Sequence, residues 1–338
     1  MKLILCFVVV LFFACDDGGT LDFGSQEIMT IDYGVGIPCG GSVMNYNGAM
    51  YRNYDGGVAP LDANLQFIIE EKLGSYTDLG IIYHSEVINS NIWFSVVTYD
   101  DVPDYVKVVN SEGQEIATYQ EGLFPGDFAN WNNGEIIFVA NEGVMGNTNG
   151  SISMIKNDGS MSNYENIGDV VHSLEVYGDK LIVLVNNSHK ILVYDITSEG
   201  LAMPGISIDT GLSSPREMVI LDGKVYFTNW NTKDVKVFNL FTYQIENSIS
   251  IPGLPEDIIS DGQSLYVSVP NIELYDQNLG SEVVKINLET LSVVQVYDVG
   301  LGPEYLVFDN SGNIYVSRKT YSDDWYMTYH GTSKILSP

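Results

Sequence analysis

The chain has 338 residues and a net charge of −29, because 44 acidic residues are balanced by only 15 Lys and Arg. A hydrophobic fraction of 45% can supply a full core, which excludes global disorder. So negative a surface repels phosphate backbones and anionic headgroups, which excludes nucleic acid and anionic lipid as partners. The 33 Gly, 22 Tyr and 13 Phe favour β-structure.

The first residues predict an export signal. Met1-Lys2 is followed by an apolar run from Leu3 to Phe13, which is too short to span a bilayer as a helix. The end of this run, up to Cys15, resembles a bacterial lipobox. The resemblance implies that residues 1–14 are a removable signal peptide, Cys15 is lipidated and residues 15–25 are a flexible tether. The alternative is an ordinary secretory signal with an incidental cysteine.

This N-terminus predicts an exported lipoprotein of the outer membrane or cell surface, anchored at Cys15 and touching the membrane only through its lipid. Asp16 is compatible with either membrane, depending on the sorting rules of the organism. The mature chain would keep one further cysteine, Cys39, so no disulfide is expected to staple the fold.

A short strand of β-branched and aromatic residues recurs seven times after the tether. The seven strand cores have middle residues 40 to 49 positions apart, and these are Met50, Trp93, Ile137, Ile182, Tyr226, Tyr266 and Tyr315. The clearest repeat, Ser214–Ile251, contains four predicted strands with Asp222-Gly223 as a hairpin turn. Four strands in each repeat of this length predict an all-β, seven-bladed β-propeller with four-stranded antiparallel blades over residues 26–338.

The last repeat has only three strands, Pro303–Asp309, Asn313–Arg318 and Ser333–Leu336, before the chain ends. A further strand pattern, Gln26–Tyr33, precedes the first repeat. An open sheet edge invites aggregation, so a propeller must close its ring. We therefore expect residues 26–33 to complete the last blade beside Ser333–Leu336.

Three segments, Ser214–Asn229, Leu254–Val267 and Gly302–Val316, resemble the repeats of YVTN/YncE-type seven-bladed propellers. A lipoprotein of this kind is similar to surface propellers of Bacteroidetes, some of which capture cobalamin on TonB-dependent transporters. The resemblance implies the fold and suggests a corrinoid-like ligand and a transporter partner. Such blades also serve scaffolding and catalysis, so the ligand does not follow from the fold.

Counting back from the middle of each second strand predicts one residue per blade at the channel mouth. These seven are Cys39, His84, Asp127, His172, Arg216, Glu256 and Glu304. They form a polar collar for a ligand, or else simply line a wet channel mouth. His84, Asp127 and His172 together are a plausible ligand set for Zn²⁺ or another transition metal, although a hydrogen-bonded His at a strand end is the alternative. Cys39 is a soft ligand or a buried thiol.

The loops between second and third strands carry aromatic residues that suit a large, partly polar ligand. The alternative is that the aromatics of the longest loop, Lys319–Gly331, pack onto the outer blade. Acidic pairs at Asp100-Asp101 and Asp323-Asp324 could hold Ca²⁺ without matching a known calcium motif. The predicted ligand-binding set is Tyr99, Asp127, Arg216, Trp230, Glu256, Glu304, Tyr305, Tyr321, Trp325 and Tyr326.

Three functions fit these residues. The favoured hypothesis is a binding protein that captures a nutrient, such as a corrinoid, for a TonB-dependent transporter. A protein-binding scaffold is the alternative. A metal-dependent enzyme of the lactonase or lyase type is the third possibility, but no serine-hydrolase or zinc-protease motif occurs, so no catalytic residue is assigned and the chain is predicted not to be an enzyme.

Overall fold

A computed structural model describes residues 27–35, 42–74, 80–98, 103–120, 122–274, 278–322 and 327–337. The predicted signal peptide, the tether, Cys15 and Cys39 lie outside these residues. Within them the chain forms 28 β-strands, numbered β1 to β28, and two short 3-10 helices at Ile69–Glu71 and Asn132–Gly134. The predicted all-β class is therefore confirmed.

The strands form seven antiparallel sheets, each of which is one propeller blade. Blade 1 contains β2 (Val43–Tyr46), β3 (Ala49–Tyr54) and β4 (Gly57–Pro60). Blade 2 contains β5 (Gly80–Ile88), β6 (Asn91–Thr98), β7 (Tyr105–Val109) and β8 (Glu115–Gln120). Blade 3 contains β9 (Pro125–Trp131), β10 (Ile136–Asn141), β11 (Gly150–Lys156) and β12 (Met161–Gly168). Blade 4 contains β13 (Val171–Tyr177), β14 (Lys180–Val185), β15 (Lys190–Thr197), β16 (Gly200–Leu201) and β17 (Ile206–Asp209).

Blades 5 to 7 complete the ring. Blade 5 contains β18 (Pro215–Leu221), β19 (Lys224–Asn229), β20 (Asp234–Asn239) and β21 (Gln244–Ser250). Blade 6 contains β22 (Ile258–Ser260), β23 (Ser264–Asn271), β24 (Leu279–Asn287) and β25 (Ser292–Asp298). Blade 7 contains β26 (Pro303–Phe308), β27 (Ile314–Tyr321), β28 (Thr328–Ile335) and the N-terminal β1 (Ile28–Val35).

The ring closes as predicted, because β1 pairs antiparallel with β28 from Ile28 opposite Ile335 to Val35 opposite Tyr329. The observed strand covers residues 28–35, two residues later than the sequence pattern indicated. The Arg318 guanidinium ties the closure down by donating to the Ile31 carbonyl at 2.8 Å and to Asp32 Oδ1 at 2.5 Å. The last blade is therefore built from both ends of the described chain.

Local sequence explains why each blade folds as hairpins. In blade 5, Leu221 pairs with Lys224, and the intervening Asp222 and Gly223 both have positive φ, at 49° and 74°. Such a two-residue turn matches the twist of the flanking strands. The second strand of blade 4 is apolar on both faces, because it is sandwiched between neighbouring blades, and Leu181, Ile182 and Val183 are completely buried. The second strand of blade 1 instead carries the buried polar residues Arg52 and Asn53.

Two blades depart from four regular strands. In blade 1 the outermost position is taken by residues 66–74, which attach through the isolated bridges Leu61–Phe67 and Val58–Leu73. In blade 4 the outermost position is split, since β15 pairs with both β16 and β17. These irregularities lie on the rim of the ring, far from its axis.

No helix among the described residues has the length and apolar character needed to cross a membrane.

Candidate functional site

The first strands of the seven blades surround the central channel and all begin at one face, which we call the mouth. The loops between second and third strands open on the same face, because those second strands run back toward it. Near the mouth, the register between the first and second strands shifts in five blades. At this β-bulge, two consecutive residues of the first strand lie opposite one residue of the second strand. The bulges define two levels of side chains at the top of the channel.

The outer level and the deeper level each take one residue from most blades. The outer level contains Tyr83, Gly126, His172, Arg216, Glu256 and Glu304. The deeper level contains Ser42, His84, Asp127, Ser173, Glu217, Asp257 and Tyr305.

The predicted collar therefore mixes two levels. His84 and Asp127 lie one level deeper than His172, Arg216, Glu256 and Glu304. In blades 2, 4 and 5, ten residues back from the middle of the second strand lead to Tyr83, His172 and Arg216, so His84, nine back from Trp93, was one residue too far along β5. Asp127 was one residue too far along β9 because the turn between Trp131 and Ile136 is longer than the turn between Leu221 and Lys224. Aligning Pro125 with Pro215 would have placed Asp127 correctly, since the prolines stand at the start of the bulge in both blades.

The channel contains a cavity of about 430 Å³ to which all seven first strands contribute. Six carboxylates line it, those of Glu86, Asp127, Glu142, Glu175, Glu217 and Asp257. The two lining imidazoles belong to His84 and His172. Sequence reasoning identified only Asp127 and the two histidines. Glu86 and Glu175 are charged residues on first strands that are otherwise expected to be apolar. This pattern was a signal that could have identified them as channel-lining carboxylates.

Asp127 and Asp257 connect neighbouring blades in the same way. Asp127 Oδ1 accepts from the Phe128 amide at 2.9 Å, and Oδ2 accepts from the Leu174 amide of the next blade at 2.7 Å. Asp257 accepts from the Ile258 amide at 2.7 Å and, across the blade boundary, from the Leu306 amide at 2.6 Å. Both carboxylates therefore satisfy backbone donors at the tops of two first strands, which is a structural role.

His172 is held between two glutamates. Its Nδ1 lies 3.0 Å from Glu142 Oε1 and its Nε2 lies 3.2 Å from Glu217 Oε1. Burial and the nearby Arg216 lower the pKa of His172, but the hydrogen bond to Glu142 and the close Glu217 carboxylate outweigh them and raise it to about 9. The imidazole is therefore charged at neutral pH, and neither ring nitrogen offers a free lone pair.

The two glutamates respond to this charge. Burial opposes ionisation of Glu142 and of Glu217, but hydrogen bonding to His172 and its charge hold the pKa of both below the ordinary value. Tyr83 donates to Glu142 Oε1 at 3.2 Å, and burial together with the Glu142 charge raises the pKa of the phenol well above 10. The group is a closed, charge-assisted network.

Arg216 and Glu256 form a second ion pair at the outer level. Arg216 Nε donates to Glu256 Oε2 at 3.1 Å and its terminal nitrogen to Oε1 at 2.5 Å, a bidentate arrangement. The guanidinium carbon lies 4.1 Å from the centre of the Trp230 ring. Arg216 is therefore fixed by a carboxylate fork and an aromatic face.

Glu304 pairs with Lys319, whose Nζ is 2.7 Å away and lies over the Tyr321 ring at 5.6 Å. Although burial opposes it, the Glu304 carboxylate raises the pKa of Lys319. Tyr305, at the deeper level, faces the His84 ring with centroids 5.6 Å apart. Within the predicted ligand-binding set, Arg216 thus contacts Glu256 and Trp230, and Lys319 links Glu304 to Tyr321. Tyr99, Trp325 and Tyr326 lie outside the described residues, as do both acidic pairs.

Glu175 is a channel carboxylate that lacks a cationic partner. It makes no side-chain hydrogen bond or ion pair with any residue that the structure describes, and it is exposed to the channel. Surrounding protein and the charge of Glu217 raise its pKa to about 7. Burial and the same Glu217 charge raise the pKa of Asp257 to about 7 as well. The channel therefore holds more carboxylates than its own cations neutralise.

Apolar side chains stand exposed around the mouth. Leu123 and Phe124 lie in the loop before β9, and Val144 and Met145 lie in the loop after β10. A hydrogen bond from the Gly143 amide to the Leu123 carbonyl, at 3.0 Å, joins these two loops. The exposed fraction is 68% for Met145 and 70% for Leu212, which precedes β18. We call these five residues the apolar rim.

Comparison with known proteins supports the fold alone. No model of a protein family matches the chain, and no curated protein matches it. Among solved structures, hydrazine synthase from Kuenenia stuttgartiensis is 15% identical with a TM-score of 0.65, over 92% of this chain and 98% of that one. A functionally unknown protein from Desulfotomaculum acetoxidans is 11% identical with a TM-score of 0.61, over 82% and 92%.

Dihydro-heme d1 dehydrogenase NirN, solved in complex with DHE, is 13% identical with a TM-score of 0.55. The match covers 82% of this chain but only 57% of that protein. At such identities the likeness shows a shared propeller architecture, on which many unrelated functions occur. Membership in the YncE-like or cobalamin-capturing group is not established by these matches.

Proposed function

We propose that this chain is a binding protein that takes a positively charged group of its ligand into the central channel from the mouth. The observation that carries the proposal is the lining of the cavity, where six carboxylates surround about 430 Å³ and His172 is the one imidazole charged at neutral pH. Clefts lined by one sign of charge concentrate ligands of the opposite sign.

The free energy of burial supports this assignment. Carboxylates held together in a low-dielectric space raise one another's pKa and destabilise the fold, so a cation that enters relieves that cost. Glu175 and Asp257 remain without a cationic partner among the described residues, whereas Glu142 and Glu217 already share His172. The unneutralised acids are therefore those expected to contact the ligand.

The finer part of the proposal is nutrient capture at the cell surface. The lipobox resemblance supports an exported lipoprotein anchored at Cys15, and the family resemblance supports a TonB-dependent transporter as partner. A corrinoid would lie over the mouth, against the Trp230 and Tyr321 rings, rather than inside the cavity. In this proposal the chain binds and passes on its ligand and does not transform it.

The direct test is calorimetric titration of the full chain in mild detergent, with EDTA present, against spermidine and, separately, cyanocobalamin. We expect one spermidine to bind per chain, with affinity reduced about tenfold by Glu175→Gln and unchanged by Glu165→Gln, which makes the same substitution on outer strand β12. Failure of spermidine to bind, or an equal loss in both variants, would contradict the channel assignment. Cyanocobalamin binding that Trp230→Ala weakens would support corrinoid capture, and its absence would contradict that finer proposal.

A protein-binding scaffold is a second candidate, and the apolar rim favours it. Exposed apolar side chains gathered on one face are typical of interaction sites. We would place a photoreactive residue at Met145 and, as a control, at exposed Val296 on outer strand β25. One discrete cross-linked partner from Met145 alone would support docking at the rim. Identical patterns from both positions would contradict it.

A further inference from the structure

We propose that His84, Glu86 and Asp127 form a binding site for a divalent transition-metal ion in the wall of the channel. One potential ligand atom from each of the three residues lies within 4.8 Å of the other two. Such a spacing is suitable for binding one metal ion. His84 Nε2 and Asp127 Oδ1 are 3.9 Å apart. The inference goes beyond the proposed capture of an organic cation.

The fold explains why these three side chains meet. His84 and Glu86 stand two positions apart on β5, so the alternation of a strand points both to the same side. Asp127 lies on β9, the first strand of the next blade. The site therefore bridges two neighbouring blades, and the signal in the sequence was the His-x-Glu spacing along one strand rather than equivalence between blades.

Two of the three ligands are held in place. Asp127 is fixed by the backbone amides of Phe128 and Leu174, which leaves carboxylate lone pairs for a metal. His84 Nδ1 lies 3.5 Å from Ser42 Oγ, which itself accepts from the Ser85 amide at 3.0 Å. An Nδ1–H directed at Ser42 is the tautomer that leaves the Nε2 lone pair free on the side of Asp127.

Glu86 is the adjustable ligand. Its side chain makes no hydrogen bond or ion pair with any described residue and lines the cavity, so rotation about its own bonds can bring the carboxylate inward. Ligand atoms at about 2.0–2.2 Å from a tetrahedral zinc stand roughly 3.3–3.6 Å apart. The ligand atoms therefore need to approach one another by about 1 Å to surround a tetrahedral ion. A rotation of the Glu86 side chain can supply a movement of this size.

The donor set indicates the class of metal. One imidazole and two carboxylates suit Zn²⁺ or a neighbouring first-row ion, whereas Ca²⁺ and Mg²⁺ prefer oxygen ligands alone. His172, which the sequence grouped with His84 and Asp127, has its two nitrogens at Glu142 and Glu217 instead. Three protein ligands facing a cavity leave a further position for water or a ligand group.

The test uses the full chain, stripped with EDTA, exchanged into metal-free buffer and titrated with ZnCl₂ in the absence of any organic cation. We expect one Zn²⁺ per chain, with affinity reduced at least about tenfold by His84→Ala and, separately, by Glu86→Gln. The control is Glu165→Gln, which makes the same Glu-to-Gln substitution on β12, away from the channel. Unfolding of each metal-free variant shows that any loss is not a loss of folding.

A second readout is the visible absorption of Co²⁺ bound in place of Zn²⁺, which reports nitrogen and oxygen ligation directly. We expect an intense band in the wild type that His84→Ala removes. Absence of stoichiometric Zn²⁺ binding, or binding that neither His84→Ala nor Glu86→Gln weakens, would overturn the site. Because spermidine is titrated with EDTA present and Zn²⁺ without spermidine, failure of one proposal is distinguishable from failure of the other.

Discussion

The imidazole Nδ1 of His172 lies 3.0 Å from Oε1 of Glu142, although the two residues belong to different blades. Glu142 follows the second strand of blade 3, and His172 lies near the start of the first strand of blade 4. The contact therefore fastens two blades at the mouth. With Glu217 of blade 5 on the other ring nitrogen, the network spans three blades.

This network predicts that the free energy of unfolding falls as pH rises above neutrality. The folded pKa of His172 is about 9, above its ordinary 6.5, so its contribution is full below pH 6.5 and is lost as pH rises through 9. Glu142, Glu217 and Arg216 face the ring, and the Tyr83 phenol stays neutral in this range. The loss between pH 6.5 and 9.5 should be on the order of 3 kcal/mol, measured by urea unfolding.

Asp257 and Glu175 also make the free energy of unfolding fall as pH rises, but at lower pH than His172 does. Each has a folded pKa of about 7, above that of an unfolded carboxyl. Their protonated forms favour folding as pH falls from 7 toward 4. The control is therefore His172→Gln, which should flatten the profile between pH 7.5 and 9.5 while retaining the slope below pH 7. An unchanged alkaline slope in this variant would show that His172 does not carry the effect.

The blade-linking aspartates predict a specific stability loss. Asp257→Ala leaves the amides of Ile258 and Leu306 without their acceptor, at about 1–3 kcal/mol for each unsatisfied buried donor, partly offset by removal of a buried acid. Asp257→Asn keeps one acceptor oxygen and should cost about 1 kcal/mol less. Urea unfolding measures both. Equal stability of wild type and Asp257→Ala would contradict the structural role.

The Arg216–Glu256 pair predicts strong energetic coupling. Both side chains are about 85% buried and the contact is bidentate. A double-mutant cycle with Arg216→Met and Glu256→Gln should give a coupling free energy of about 1.5–3 kcal/mol. Arg216→Lys retains the charge but loses the fork and the stacking on Trp230, so it should not restore full stability. Additive losses in the cycle would contradict this interpretation.

The closing strand predicts that an N-terminal truncation abolishes cooperative folding. Removal of residues 1–35 deletes β1 and exposes the edge of β28, including Ile335, which is only 2% accessible in the closed ring. Removal of residues 1–26 is the matched control, because it leaves β1 intact. Thermal unfolding should be cooperative in the control and broad, with aggregation, in the longer truncation. Equal transitions in both proteins would show that closure contributes little.

Sequence periodicity predicted the architecture because each blade is local. Asp222-Gly223 specifies its own hairpin turn, and the apolar second strands, such as Leu181–Val183, need only their own pattern to be recognised. The closing strand also followed, since three strands in the last repeat demanded a fourth.

The site was predicted only in part because it depends on the relative positions of blades. Glu142 reaches His172 across a blade boundary, and no spacing in the sequence encodes that distance. Asp127 was assigned to the wrong level because the turn in blade 3 is longer than the turn in blade 5, and His84 because a count of ten from Trp93 leads to Tyr83 instead. Glu86 does not follow from equivalence between blades, because its relation to His84 is a two-residue spacing along one strand.

The most direct test of the central claim is a crystal structure of the full chain soaked with spermidine in metal-free buffer. We expect density for the amine inside the channel, with a nitrogen within hydrogen-bond distance of Glu175 or Asp257. Spermidine bound only on the outer surface of the blades, with an empty channel at saturating concentration, would contradict the claim that the channel carboxylates are the binding site.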